Sequence, residues 1–463
     1  MNGLAGLIER MLLSVADTAA VRLHAKQPVE PDVTDAIGFG LETNQPVRIS
    51  PDERRKHLYV LGATGSGKTN FLLRLIDGDL EAGRSLIVID LRGDLTDRIL
   101  LRLASGEDAD SVARKLCLLD LRNQPSALGF NPLVGPGEPQ SRAFHLLGVI
   151  RSQAESWGVQ LEETIRSCLV ALAETGGSLL DIEALLTDAR FRASVLSRCR
   201  DPYVLSFFAR YDALSADRQS TWLLPVLNKI TPLLSSPAVR SFLSQEQTVD
   251  LRRLMDTPGQ VVLISLAVDR LHSAAYLLGG LLVSTIQSAA MARVDQPEQK
   301  RNPVNLYIDE FETMASPSFE AIIAEGRRFG LSLTLSHQNL SQVPAGLRQV
   351  LRNNVHTQLL FQTGALDAGE LASEITGLGG KEEARTILMT QAIGQAILIR
   401  RGQPAVRIRT LPITDPVVSR EAGSALKEAT KPKPAPEAKP ETVSSPEPNP
   451  TKEVRHGKRP GSL

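Results

Sequence analysis

A surplus of charge of either sign is the first thing this sequence lacks. Its 52 basic residues balance 52 acidic ones over 463 residues, a formal net charge of zero. That excludes a surface that binds nucleic acid as a bulk polycation, so any such contact must come from a local patch. Cysteine is scarce as well. Cys117, Cys168 and Cys199 are odd in number and show no CxxC spacing, which argues against a disulfide framework or a zinc site and suits a reducing cytosol. Near the N-terminus, Glu9, Arg10 and Asp17 break any signal-peptide core or spanning helix. Leu4, Leu7, Ile8, Met11, Leu12 and Val15 instead recur at helical spacing and predict a helix packed on its own domain, with docking on a partner or membrane surface as the alternative. The longest uncharged run, residues 271–292, is long enough to cross a bilayer. It carries His272, Ser273, Ser284, Thr285, Gln287 and Ser288 and is flanked by strand-like segments, which predicts a buried core helix. No membrane span is expected, and the chain reads as cytoplasmic.

Apolar residues make up 42% of the chain, enough for a sizeable core. Composition changes abruptly near residue 423. Residues 423–463 hold 8 prolines, and their only aliphatics larger than alanine are Leu426, Val443, Val454 and Leu463. Such a segment buries too little apolar surface to offset its ordering entropy, so a disordered tail is expected. The tail carries 8 basic against 5 acidic residues, leaving the body slightly acidic.

The body alternates short β-rich runs with helical patterns. Strand candidates are 57–61, 85–90, 115–119, 260–266, 305–309, 331–336, 357–361, 396–400 and 405–410. Several are uninterrupted apolar runs, such as Leu86-Ile87-Val88-Ile89, the mark of strands covered on both faces in a parallel sheet. From about residue 141 to 254 strand signals nearly vanish. Helical stripes replace them, for example Leu161, Ile165, Cys168, Leu169 and Leu172. The expected fold class is α/β: a core with a mainly parallel sheet (36–140 and 255–422), an all-helical insertion (141–254), an N-terminal helix and lead-in (1–35) and the tail (423–463).

The strongest signal is Gly62-Ala63-Thr64-Gly65-Ser66-Gly67-Lys68-Thr69. It follows an apolar strand and opens a helix at Asn70, the strand–loop–helix context that a phosphate-binding loop requires. Its glycines let backbone N–H groups turn around a β-phosphate, and the helix N-terminus adds partial positive charge. Lys68 then reaches the β- and γ-phosphates of ATP, and the Thr69 hydroxyl ligates Mg²⁺. Residues 62–70 are the expected nucleotide contacts. A second buried strand ends in Asp309-Glu310. Asp309 is suited to hold Mg²⁺, and Glu310 to polarise an attacking water. The strand at 331–336 leads to His337-Gln338, where Gln338 is placed to sense the γ-phosphate. Just ahead of it stand Arg327 and Arg328. Either fits an arginine finger that completes a neighbouring subunit's site, and that role requires an oligomer.

Together these residues resemble the HerA–FtsK superfamily of ring ATPases, and within it the conjugative coupling proteins of the TraG/TraD type. The resemblance rests on GATGSGKT, the Asp309-Glu310-Phe311 motif and the segment running from Gly326-Arg327-Arg328-Phe329 to His337-Gln338. Val88-Ile89-Asp90-Leu91-Arg92-Gly93-Asp94, Phe130-Asn131-Pro132-Leu133 and Asn353-Asn354 extend it over about residues 36–412. Coupling proteins usually carry N-terminal membrane helices, and HerA-type translocases usually begin with a small β-barrel. Neither pattern is visible ahead of the phosphate loop, so the sequence reads as a soluble member. The resemblance implies a RecA-like P-loop ATPase core and a homohexameric ring that hydrolyses ATP and moves DNA through its pore. Partners from a secretion system, a mobile element or a defence system would then recruit it, if need be to the membrane. Two other readings stay open: a ring ATPase of the same fold that moves or assembles protein, and a nucleotide-gated scaffold with negligible turnover.

Overall fold

Alternation along the strands explains why this chain builds a sheet with helices on both faces. Successive strand side chains point to opposite faces. Leu58 and Val60, with Leu86 and Val88, are buried in one apolar cluster. Tyr59 and Leu61, with Ile87 and Ile89, are buried in another. The computed structural model describes residues 36–106, 109–122, 128–245, 248–416 and 426. The helix expected within residues 1–35 lies outside them. So does the expected tail, apart from Leu426, which is buried against the first of these clusters.

Eleven strands form one sheet in the order β2-β1-β11-β10-β9-β3-β8-β7-β4-β6-β5. They are β1 (Ala36–Gly40), β2 (Pro46–Arg48), β3 (Leu58–Leu61), β4 (Ser85–Asp90), β5 (Leu116–Asp120), β6 (Val261–Ser265), β7 (Val304–Ile308), β8 (Leu331–His337), β9 (Thr357–Leu360), β10 (Gln395–Arg400) and β11 (Val406–Thr410). From β9 to β5 every pairing is parallel. From β9 outward through β10, β11, β1 and β2 the pairings are antiparallel. All nine expected strands are present, with ends shifted by a residue or two. The sequence reading missed β1 and β2. The first contains two glycines and the second is three residues long, so neither carries a strong β signal.

One face is covered by the helix that follows the phosphate loop, α1 (Lys68–Glu81). Its inward residues Phe71, Leu72, Leu75 and Ile76 are buried with Val60 and Val88. On the other face lie α2 (Pro139–Ser152), α3 (Val159–Thr175), α4 (Ser273–Met291) and α5 (Pro317–Glu325). Between β5 and β6 the described chain forms helices joined by turns and loops, and its one β contact is an isolated bridge, Gly129 to Thr248. These helices bury Ile165, Leu169, Phe207 and Phe242 in the same cluster as Leu278 and Leu282 of α4. The helical region therefore shares its core with the sheet. One helical segment, Ser273–Asp295, is long and apolar enough to cross a membrane, and its apolar window is 78% buried inside the protein. It is the core helix that its interspersed polar residues predicted.

A polar cluster is sealed between α1 and β7. Asp79 on α1 is fully buried and accepts hydrogen bonds from Arg54 (2.5 and 2.9 Å), Tyr307 Oη (2.6 Å), Asn305 Nδ2 (2.7 Å) and Arg84 (3.1 Å). Such a charge is tolerated in a core only because its oxygens are fully matched with donors. The cluster ties the helix of the phosphate loop to the strand that leads to Asp309 and Glu310.

Candidate nucleotide site

In an open parallel sheet, ligands bind beyond the carboxyl ends of the strands. Here that edge gathers the loops after β3, β8, β7, β4 and β6. The loop after β3 is held by its neighbours. Ala63 N–H donates to the Gln362 carbonyl at 2.7 Å, and Gly394 N–H donates to the Ser66 carbonyl at 2.9 Å. Gly67 caps α1 with φ of +113°, a conformation that favours glycine. At Gly62 a Cβ would lie 2.5 Å from Phe361 Cβ and 2.8 Å from Ser66 Oγ, so that position admits no side chain. Lys68 lies in the first turn of α1, 7% exposed. Its ammonium group donates to the carbonyls of Gly62 (2.5 Å) and Ala63 (3.0 Å). Burial lowers its pKa, and Asp309, Glu310 and Glu312 pull it back up.

Asp309 and Glu310 leave the end of β7 side by side. Desolvation and the charge of Glu310 raise the pKa of Asp309 to about 6, against the opposing pull of the Ser336 hydroxyl and Lys68. Asp309 accepts the Glu310 N–H at 3.1 Å. Glu310 itself has φ of +53°, an uncommon conformation for a residue with a side chain. Such strain persists where the surroundings over-determine it, often at functional positions. Here it turns the carboxylate across the sheet edge, where Gln338 Nε2 donates to Glu310 Oε1 at 2.9 Å. The other end of the same amide meets the phosphate loop: Thr64 Oγ1 donates to Gln338 Oε1 at 2.8 Å. Strand order makes this contact, since β8 runs between β3 and β7. His337, just before Gln338, is fully buried against Tyr59 and donates its Nδ1–H to the Asn339 carbonyl (3.1 Å). Burial drops its pKa to about 3, so it stays neutral and acts as a pin that fixes the end of β8.

A magnesium–nucleotide complex fits this donor set. The Thr69 hydroxyl and the Asp309 carboxylate are the hard oxygen ligands that Mg²⁺ takes. Among the described residues the Ser66 hydroxyl is buried without a hydrogen-bond partner, beside Gly62 in the loop. Asn70, next along α1, accepts from Arg98 Nη1 at 2.9 Å.

The structure does not bring Arg327 and Arg328 to this edge. Both are exposed on the turn Gly326–Phe329 that precedes β8, and β8 is seven residues long. They therefore sit about 20 Å from Gln338, at the opposite end of the strand. Among the described residues neither guanidinium has an ion-pair partner. Two groups at the site went unassigned in the sequence reading. Glu312 faces Lys68, and burial with the charges of Glu310 and Asp309 raises its pKa to about 7. Arg92, on the loop after β4, lies with its Nε 3.9 Å from Glu310 Oε2. Glu312 was legible as one more acid beside the pair. Arg92 was legible only as part of a quoted motif.

A phosphate loop on a central parallel strand, an acidic pair two strands away and a glutamine after the strand between them fit the RecA-type ATPase fold. Residues 36–123, from β1 through β5, match the family described as "Helicase HerA, central domain". No curated protein sequence matches the chain. Among solved structures, the bacterial conjugative coupling protein TrwB, in an unbound form, superposes with a TM-score of 0.60 at 17% identity, covering 85% of this chain and 92% of that one. The plasmid coupling protein TrwB in complex with ADP and Mg²⁺ gives 0.59 at 17% identity, covering 81% and 90%. VirB4 of Thermoanaerobacter pseudethanolicus gives 0.58 at 12% identity, covering 82% and 97%. The resemblance to the HerA–FtsK superfamily and its coupling proteins thus extends, as a fold, over most of the chain.

Proposed function

We propose that this protein is an ATP-hydrolysing motor that translocates DNA as a ring, and that it works in the cytoplasm, recruited to its place by partner proteins. The observation that carries the reading is the Thr64–Gln338–Glu310 link, which couples the phosphate loop directly to the residue suited to activate water. A nucleotide-binding scaffold has no need of a strained carboxylate held at that point. In the proposed reaction Lys68 holds the β- and γ-phosphates, and Glu310 takes the proton of a water that attacks the γ-phosphorus. The bond from that phosphorus to the β–γ bridging oxygen then breaks, giving ADP and phosphate. Bound Mg²⁺, held through Thr69 and Asp309, would offset phosphate charge. Gln338 reads whether the γ-phosphate is present, because the same amide touches both the loop and Glu310.

Placing Arg327 and Arg328 at the far end of β8 supports a finger that acts in trans: one subunit's arginine edge meets the next subunit's nucleotide edge. The helicase family match over residues 36–123, about a third of the core, supports DNA as cargo. The deciding experiment is ATP turnover with and without double- or single-stranded DNA, at several salt concentrations, alongside particle mass. DNA of any sequence should stimulate turnover, since the contacts are to phosphates, and its affinity should fall steeply with salt. Stimulation by a polypeptide, with no response to DNA, would transfer the protein to the protein-moving reading.

A further inference from the structure

The loop after β4 is fixed at its backbone and loose at its one cationic side chain. Asp90, at the end of β4, accepts the N–H groups of Arg92 (3.1 Å), Gly93 (2.9 Å) and Thr96 (2.8 Å). Gly93, with φ of +101°, completes the turn. The Arg92 guanidinium stands half-exposed over the sheet edge between two acids on different loops. Its Nε is 3.9 Å from Glu310 Oε2, and its Nη1 is 3.5 Å from Asp269 Oδ1. Both separations exceed an ordinary hydrogen bond, so the arginine acts on each carboxylate by charge and locks neither.

Neighbouring cations are committed elsewhere. Arg122 is paired with Asp97 (2.7 Å) and Asp120 (2.9 Å), and Arg270 donates to the Arg122 carbonyl at 2.6 Å. Lys68 is turned into the phosphate loop. Among the described residues, Arg92 therefore makes the ion pair of Glu310, whose other oxygen is held by Gln338. Three carboxylates crowd this corner (Asp309, Glu310 and Glu312), and repulsion among them would swing Glu310 outward without a cation on its open side.

We infer that Arg92 is a positioning residue for Glu310: it steers the free carboxylate oxygen toward the attacking water, and Asp269 anchors it from the other side. Gln338 fixes Oε1 by hydrogen bond, and Arg92 restrains Oε2 at a distance that leaves its lone pairs open to water. The pair thus defines an orientation without consuming the base. Nothing in this role touches nucleotide, so it alters turnover and spares binding. This inference rests on the hydrolytic reading of the site.

Steady-state ATP turnover of the full chain, with nucleotide affinity measured separately by a fluorescent ATP analogue, tests it. Arg92→Ala should lower kcat by about ten- to a hundredfold, the scale of loss from misplacing a reacting group, with KM and analogue affinity unchanged. Arg92→Lys, which restores charge at similar reach, should recover most of the rate. Asp269→Asn should cause a smaller loss that disappears in the Arg92→Ala background, because Asp269 acts only through the arginine. Wild-type kcat in Arg92→Ala, or a rise in KM matching the fall in kcat/KM, overturns the inference and leaves the ATPase reading standing. So does a lysine variant as slow as the alanine one. A wild-type chain that binds ATP and never turns it over overturns both.

Discussion

Glu310 pays a backbone penalty, and the consequence is a side chain aimed between two loops. Replacing it by glutamine keeps the size and the hydrogen-bonding reach and removes the base. Glu310→Gln is expected to bind ATP as the wild type does and to lose at least a hundredfold in turnover; equal turnover would reassign the base. A second expectation follows from Asp309, whose pKa is raised to about 6. Mg²⁺ binding requires the ionised carboxylate, so Mg²⁺–nucleotide affinity should hold above that pH and weaken as pH falls through it. For the free protein the sign is opposite. A carboxyl with a folded-state pKa above its unfolded value binds its proton more tightly when folded, so it favours folding at acid pH and costs stability as pH rises from about 4 to 6. Titrating the nucleotide-free protein, and then Asp309→Asn, by thermal melts should show that slope and its loss. At this scale most of the site was readable, because the phosphate loop and the acidic pair are contiguous motifs. The reach of Thr64 to Gln338 was not, since it spans 274 positions and depends on which strands become neighbours. Arg92 was hidden for the same reason, its partners lying on two other loops.

Among the elements, α1 and β7 are joined by more than apolar packing. The Asp79 cluster fastens the phosphate-loop helix to the strand that leads to the acids, so those two parts of the site are expected to move as one body. Asp79→Ala would strand Arg54, which is 7% exposed, as an unpaired buried charge. That should cost about 3–5 kcal/mol, read as a drop in the denaturation midpoint. A double replacement of Asp79 and Arg54 by apolar residues of similar volume should recover much of the loss. Recovery in neither would mean that the cluster is not what holds the helix. The nine strands of the sequence reading were legible because buried parallel strands announce themselves as apolar runs. The outer hairpin of β1 and β2 was not, since its pairing with β11 substitutes for intrinsic propensity. The shared core of the helical region was equally hidden, because periodicity shows that a helix has an apolar face and does not show what covers it.

For the whole molecule, the decisive feature is polarity: the candidate nucleotide site lies at one end of β8 and Arg327 and Arg328 at the other. In the proposed ring each chain gives an acid to its own site and an arginine to its neighbour's. Arg327→Ala/Arg328→Ala and Glu310→Gln subunits should each be nearly inactive alone. Mixed together they should regain part of the turnover, since some junctions then pair an intact acid with an intact arginine. A full-rate monomer, by particle mass and activity, would remove the finger and the ring at once. The same polarity has a consequence for inheritance. A copy damaged at both ends of β8 would silence two catalytic junctions, its own and the next, so a minority of such chains co-produced with normal ones would depress turnover by more than their share. Alleles that damage both ends should therefore behave as partly dominant, while alleles that merely prevent the chain from folding should behave as recessive.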